Sequence, residues 1–567
     1  MIFHILHFIP FIKHGEFRMI RCSIFSLFLL SMAMQGVEAQ SVYVHPSHEV
    51  YDFLKRMEGK GILKDYRDAV KPITRKEIAG FLIAIDAHAD QLTSVEKDQL
   101  QFYKQEFFVE LQQLKYNKDL PEERWHLYPY RSSPGTFNID LIGGYSVEAN
   151  PTKTNTKIRS NGLLSYGYLG DNVGLYLYFR DNEETGTYVD PRKDLTPLQG
   201  QILSQNKGHT IQYDLADAQV NVDVAFLTLS IEKMPNVWGA GYHGNLILSD
   251  KPPSYPQLKL RAKLGKDVDF TFIHSWLSSD LIDSVNSFLV PGLNLSGNVG
   301  YRTIYRQKYM AAQMLEASVA NGVDVSVGES EIYGSRNPEL IYLLPVMFYF
   351  AAEHYNEDED NKQVFGSVDI NAVKNYNMYA TLFIDEFSPT EFYLPDRQRN
   401  QLGFTVGTRA YDLLYPNTDF LVEYTRTNPW VYNHKFPDVT YQSHGFDLGD
   451  WIGQNADDLY LEANYRPYRS LKVGLQFESL RKGAKDSTKF QYLLPTPPFL
   501  YGPVIKHQSY GVTARYEVVR DMFLDFHLFL ARYTQGANIP GVFQYSRMSS
   551  DYDGRIDALI GLRYNFY

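Results

Sequence analysis

The 567-residue chain holds a single cysteine, Cys22. Cys22 lies in a segment expected to be removed, so the mature protein is predicted to have no disulfide and no thiolate metal site. The mean hydropathy of −0.32 excludes a helical membrane protein. Basic charge is in no excess: 66 Asp and Glu outnumber 55 Lys and Arg, for a net charge of −11. Without a basic block, nucleic acid is excluded as a partner. HExxH, GxSxG, cysteine pairs and histidine spacing suited to zinc are all absent. No Ser, His and Asp grouping on neighbouring strands suggests a barrel hydrolase, so the chain reads as a non-enzyme without metal.

Aromatic side chains, by contrast, are abundant, making up 15% of the chain with 43 Tyr and 35 Phe. Such rings suit a membrane boundary, where the apolar body sits in lipid and the polar tip in water. Residues 1–39 read as an export signal. Arg18 and Arg21 precede an apolar run at 24–34, and Val37-Glu38-Ala39 offers a small-residue cleavage site. The signal is complete from Met19 onward, and the position of Cys22 ahead of the apolar run argues against a lipoprotein.

From residue 40 to 114 the pattern is helical, and a small bundle that leans on a larger neighbour is predicted. Val50, Phe53, Leu54 and Met57 share one face, with a stop at Gly59 and Gly61. Thr74 with Glu77, and Thr93 with Glu96, have capping-box spacing. Ile78, Phe81, Leu82 and Ile85 form the second apolar face, and Leu100, Tyr103, Phe107 and Leu111 the third. Residues 115–135, rich in Pro, Asn and charge, read as a linker.

From residue 136 to 567 the apolar period changes from 3.6 to 2. Leu471, Val473, Leu475 and Phe477 alternate with polar neighbours, as do Leu459, Leu461, Ala463 and Tyr465, and Tyr510, Val512, Ala514 and Tyr516. A soluble sandwich shows the same alternation. The export signal, the abundance of Tyr, and strands running to the last residues select an all-β transmembrane barrel instead. The terminal alternation of Ala558, Ile560, Leu562, Tyr564 and Phe566 resembles the aromatic signal read by outer-membrane assembly machinery, with Tyr567 one residue beyond the usual end. Roughly 430 residues, at about 22–26 per strand and connection, predict about 16–20 antiparallel strands with about 18 favoured.

Several motifs have simpler readings. Gly239-Ala240-Gly241-Tyr242-His243-Gly244 matches a dinucleotide fingerprint, but Lys251-Pro252-Pro253 follows where the fingerprint needs a helix. Tight turns at the barrel rim are predicted there. The acidic run 357–360 reads as a solvated loop, Asp551 and Asp553 as a hairpin turn, and the apolar stretch 340–352, broken by Pro345, as a bent strand that is buried or lipid-facing. The segment 427–458 is a candidate extracellular loop carrying Trp430, Tyr432, His434, Tyr441, His444 and Trp451 among amides and carboxylates. Such rings suit sugars, and a self-packed lid over the barrel mouth is a compatible reading.

These residues resemble the Wzi family of capsule-assembly outer-membrane proteins. The resemblance rests first on Trp238-Gly239-Ala240-Gly241-Tyr242-His243-Gly244-Asn245-Leu246-Ile247-Leu248-Ser249. It extends in order through Glu329-Ser330-Glu331-Ile332-Tyr333-Gly334, Tyr342-Leu343-Leu344-Pro345, Glu353, Asp360-Asn361 and Ile384-Asp385-Glu386. Tyr432, His434, Tyr441, His444, Leu448 and Gly449 also fit, and the aromatic-rich form resembles Bacteroidetes-type members.

The resemblance implies a barrel with a periplasmic helical bundle, acting as a lectin-like protein that binds or anchors capsular polysaccharide at the surface of a Gram-negative cell. It implies no enzyme activity and no cofactor. Partners would be the extracellular polysaccharide, outer-membrane lipid and the assembly machinery. Trp430, Tyr432, Tyr441 and Trp451 are the first candidates for sugar-facing rings, with His434 and His444 beside them. Trp238 and Tyr242 are framework candidates with a ligand role. The alternative is a diffusion channel tethered to the cell wall, because Lys71-Pro72-Ile73-Thr74-Arg75-Lys76-Glu77 resembles one copy of an S-layer homology core.

Overall fold

A computed structural model describes residues 41–565, apart from 119, 133–134, 150–154, 171, 188, 291–299, 357–358, 391–393, 395–399, 486–487 and 536–551. The expected export signal with Cys22, the first half of the acidic run, Asp551, and the terminal Phe566 and Tyr567 therefore lie outside the described residues.

The helical stretch forms α1 (Val50–Gly59), α2 (Arg75–Asp86), α3 (Ser94–Glu106) and α4 (Phe108–Gln113). Both capping boxes are present, with Thr74 and Thr93 accepting from the amides of Glu77 and Glu96. The predicted third helix breaks at Phe107 into α3 and α4, so there are four helices where three were expected. Leu54, Met57, Ile78, Leu82, Ile85 and Leu100 close a shared core. The predicted linker is partly a strand, Tyr128–Ser132, paired with the start of the barrel.

Eighteen strands close the barrel, all antiparallel. In chain order they are β1 (Gly135–Ala149), β2 (Asn155–Leu169), β3 (Val173–Gly186), β4 (Thr210–Val224), β5 (Leu227–Met234) and β6 (Tyr255–Lys263). Next come β7 (Val268–Ile282), β8 (Tyr305–Ala320), β9 (Val323–Gly334), β10 (Asn361–Ile370), β11 (Tyr376–Glu386) and β12 (Gln401–Tyr411). The last are β13 (Thr418–Thr427), β14 (Ala456–Tyr468), β15 (Leu471–Lys482), β16 (Ile505–Val519), β17 (Met522–Gln535) and β18 (Tyr552–Tyr564), and β18 closes the ring onto β1. Asp553 falls in β18.

The side on which the apolar residues lie settles sandwich against membrane barrel. On β4, Val220, Val222 and Val224 are 48%, 38% and 50% exposed, whereas the alternating Gln219, Asn221 and Asp223 are 2%, 0% and 3% exposed. The outer surface is greasy and the lumen polar, the reverse of a soluble protein. Among the described residues no helix is long and apolar enough to cross a membrane; the strands do so.

One end of the barrel has short turns, such as Gly322 between β8 and β9, and the other has long connections. The helical bundle fills the short-turn end, held by ion pairs around the wall. Arg56 reaches Asp412 and Asp419 in the β12–β13 region, Lys55 reaches Asp369 at 2.7 Å, Arg67 reaches Asp269 at 2.9 Å, and Glu49 reaches Arg515. The S-layer-like residues serve the same docking. Arg75 pairs with Glu110 at 2.7 Å and lies 4.1 Å over the Tyr166 ring of β2, and Glu77 pairs with Lys263 at 2.8 Å.

The structure departs from the sequence pattern at two places on the β9–β10 connection. The stretch 340–352 is not a strand: Leu340–Leu343 is a 3-10 turn and α5 (Tyr349–Tyr355) follows, because Pro345 between them removes a ladder donor. Asp360, at the end of the acidic run, is not solvated; it accepts from Tyr342 at 2.7 Å and pairs with Arg336 at 2.6 Å.

Replacing Arg75 with Ala leaves the fully buried Glu110 with only the Tyr168 hydroxyl. A loss of about 3–5 kcal/mol is expected, read as a lower denaturant midpoint for the helical bundle, with Arg75→Lys recovering only part because it lacks the planar fork.

Candidate functional site

The connection of residues 234–255, between β5 and β6, carries the glycine-rich motif and enters the lumen; it does not turn at the rim. Leu246, Ile247 and Leu248 cannot remain in water at low cost, and inside they join an apolar core with Val70, Trp238 and Phe383. The chain reaches back far enough to meet the helical bundle. Val70 and Lys71 pair with Trp238 and Val237, and the Gly239 amide donates to Ala69 O at 2.8 Å. Gly239 sits at φ +117°, and a Cβ at Gly241 would lie 2.0 Å from the Gly244 carbonyl oxygen. These glycines serve close backbone packing and not a phosphate.

The second inward connection, residues 427–456 between β13 and β14, clasps the first. Buried carbonyls require donors, and two tyrosines supply them. Tyr432 Oη donates to Leu246 O at 2.7 Å and accepts from the Asp450 amide, and Tyr441 Oη donates to Ile247 O at 2.8 Å. The two rings stack at 5.6 Å. The Ser249 amide donates to Leu448 O at 2.8 Å. A third connection, residues 186–210, is tied on by Lys251, whose ammonium donates to the carbonyls of Lys193 and Leu198 at 2.7 and 2.9 Å. Burial brings the Lys251 pKa down to about 8.

The barrel wall grips the tip of the glycine motif through charge. Glu423 on β13 accepts the amides of Tyr242 and His243 at 2.6 and 2.8 Å. The His243 ring lies flat on Tyr460 of β14 at 3.7 Å, and its Nε2 is 3.1 Å from Glu478 of β15. The Trp451 indole donates to His243 O at 3.0 Å. Burial alone would keep this imidazole neutral, but the Glu478 hydrogen bond and the charges of Glu478, Asp458 and Glu423 raise its pKa to about 9. The Arg409 guanidinium covers the Tyr242 ring at 3.9 Å beside a cavity of about 60 Å³ lined by Asp52, Arg56, Glu462 and Arg466.

The structure brings six of the eight candidate residues into this interior. Trp238, Tyr432 and Tyr441 are enclosed in one core, Trp451 and Tyr242 flank His243, and Trp430 is buried against Tyr501 at 5.4 Å. The four rings expected to face sugar, Trp430, Tyr432, Tyr441 and Trp451, are thus buried, because their polar tips and faces are spent on neighbouring connections. His434 and His444 lie apart from them, His434 against Phe436 at 5.5 Å and His444 3.7 Å from Asp280.

Sequence reasoning missed His243, Arg409, Glu423, Tyr460 and Glu478 as site residues. The inward positions of Arg409, Glu423, Tyr460 and Glu478 follow from the strand period, but nothing in the period says which inward group meets which connection, and His243 lies on a connection with no period at all. Among the described residues no group of three or more His, Cys, Asp or Glu is arranged to hold a metal ion.

A family model described as capsule assembly protein Wzi matches residues 193–538. No curated protein matches the chain. Among solved structures, the chain is similar to Escherichia coli Wzi, described as an outer-membrane protein involved in group 1 capsule assembly and a carbohydrate-binding β-barrel. That similarity is 14% identity and a TM-score of 0.54, over 92% of this chain and 99% of that one. Weaker similarity reaches Pseudomonas aeruginosa OccK7 at 10% identity and TM-score 0.40, over 76% of this chain and 99% of that one. Acinetobacter baumannii OccAB2 is similar at 10% identity and TM-score 0.41, over 76% and 99%.

Two outcomes are expected. Tyr432→Phe and Tyr441→Phe each leave a buried carbonyl unsatisfied and should cost about 1–3 kcal/mol, read as a lower denaturant midpoint of the folded barrel. The His243 pKa is raised from the usual 6.5 to about 9, so its contribution is complete below about 6.5 and lost as pH rises through about 9. Limited proteolysis of the 234–255 connection should accelerate across that window in the native protein, and His243→Gln should flatten the dependence.

Proposed function

The chain belongs to the capsule assembly protein Wzi family, and on that premise we propose that it is a non-catalytic outer-membrane lectin that binds or anchors capsular or extracellular polysaccharide during capsule assembly. The observation that carries this reading is the apolar core lying across the lumen, built by Trp238, Leu246, Ile247, Tyr432 and Tyr441 from connections of the long-loop end. A diffusion channel needs a wetted passage, whereas a barrel filled in this way is suited to work at its surface.

In outer-membrane barrels short turns face the periplasm and long loops face outward. On that rule the helical bundle of residues 40–114 is periplasmic and the clasped connections open to the cell exterior; residues 1–39, with their charged start and short apolar run, are the export signal that such a location requires. Outer-membrane lipid surrounds the belt, and the assembly machinery reads the last strand.

Glycan contact is assigned to His434 and His444, with the half-exposed Phe436 as a ring for sugar C–H faces. Trp430, Tyr432, Tyr441, Trp451, Trp238 and Tyr242 then act one step removed, holding the connection that presents those groups.

The test is a clean deletion in the source organism, with cell-bound and released polysaccharide measured separately. Glycan shed into the medium at normal total yield is expected, and His434→Ala with His444→Ala should reproduce part of the shedding while leaving the barrel folded. Unchanged retention in the deletion strain would sink the proposal. Purified protein in planar bilayers should pass little current; porin-sized steps would favour the channel.

A further inference from the structure

The β9–β10 connection lies against the outside of the barrel. On β9, Ser330 and Ile332 point inward, to Gln363 and to the lumenal core. Glu329, Glu331 and Tyr333 alternate with them and so face outward, on the same side as Val327, which is 56% exposed. Carboxylates on a lipid-facing wall are costly, yet Glu329 and Glu331 are only 8% and 0% exposed.

Residues 340–355 bury them. Gln313 Nε2 on β8 donates to Met347 O at 2.6 Å, and the Tyr349 amide donates to Glu329 Oε1 at 3.1 Å. Tyr342 and Tyr349 pack with the outward-facing Tyr309 and Tyr333 in one cluster. The opposite side of this segment is bare and apolar: Leu340, Val346 and Phe348 are 74%, 85% and 62% exposed. It continues the belt that Leu315, Val327 and Val364 form on the same wall. Its backbone is largely satisfied from within: Pro345 has no amide hydrogen, the Tyr342, Met347 and Ala351 amides donate to the carbonyls of Glu339, Leu344 and Phe348 at 3.1, 3.1 and 3.0 Å, and α5 bonds its own turns, as a backbone out of contact with water requires.

We propose that this connection is an external flap embedded in the membrane, with lipid acyl chains covering Val346 and Phe348 while the flap seals Glu329 and Glu331 away from them. Continuity with the belt identifies the occupant: acyl chains already cover Val327 and Val364 beside it, and they cover the flap's bare side with no further protein.

The test uses the full chain with Cys22→Ser, reconstituted in phospholipid vesicles and carrying a nitroxide label at Val346→Cys or Phe348→Cys. Leu475→Cys on the belt and Val285→Cys in the β7–β8 connection are the lipid and water references, and each variant is first checked for the heat-dependent gel shift of a folded barrel. Both flap labels should behave like Leu475→Cys, more accessible to dissolved oxygen than to a water-soluble nickel complex. A preference for nickel matching Val285→Cys would place the flap in water and overturn the proposal. Labels shielded from both reagents, with doubled mass in detergent, would mean that a second copy covers the face, and would overturn it equally.

Discussion

A ring of 18 strands encloses more space than its own inward side chains fill, so the lumen must hold either water or additional chain. Here it holds additional chain from both ends. The N-terminal helices enter from the short-turn side, two long connections enter from the other, and they meet in the two-residue ladder between Val70–Lys71 and Val237–Trp238. Most other features follow from that junction: the glycines of the motif, the two tyrosine hydroxyls that satisfy buried carbonyls, and the apolar core within a polar-walled barrel.

Filling a polar lumen brings an electrostatic problem. The inward faces of the strands carry charges that solvate an open channel, and once chain displaces the water those charges need partners. The helical bundle supplies them at its rim through Arg56, Lys55, Arg67 and Glu49. Higher in the lumen, Glu423 takes two backbone amides, and Glu478 takes the His243 imidazole. The plug is therefore held by directional polar contacts to the wall around an apolar centre. The outer wall near β9 meets the reciprocal problem, outward carboxylates facing hydrocarbon, and residues 340–355 cover them.

Local signals were legible where one element suffices to define them. The spacings of Thr74 with Glu77 and Thr93 with Glu96 name their helix starts without reference to the rest of the fold. The alternation around Leu475 and Val512 names strands, and the length of chain names their approximate number. The break at Phe107 was not legible, because the apolar stripe runs through it unbroken. The stretch 340–352 is not legible from sequence, because an apolar run looks the same whether it is a strand in the wall or a cover lying upon it. For the site, the aromatic segment 427–458 was visible as a unit, but the burial of Trp430, Tyr432, Tyr441 and Trp451 was not. A ring among polar residues is equally compatible with facing a sugar and with facing a neighbouring connection.

By itself the sequence determined the export-signal pattern, the helical and strand periods, a closed barrel of about this size and the family, because each is carried by spacing along the chain. Only the tertiary structure decided that the greasy faces point outward, that the glycine motif turns into the lumen, and that His243 meets Glu478 some 235 positions away. Those contacts join residues whose separation along the chain carries no periodic signal. They exist because a closed ring brings distant strands around one shared space, and whatever enters that space must satisfy all of them together.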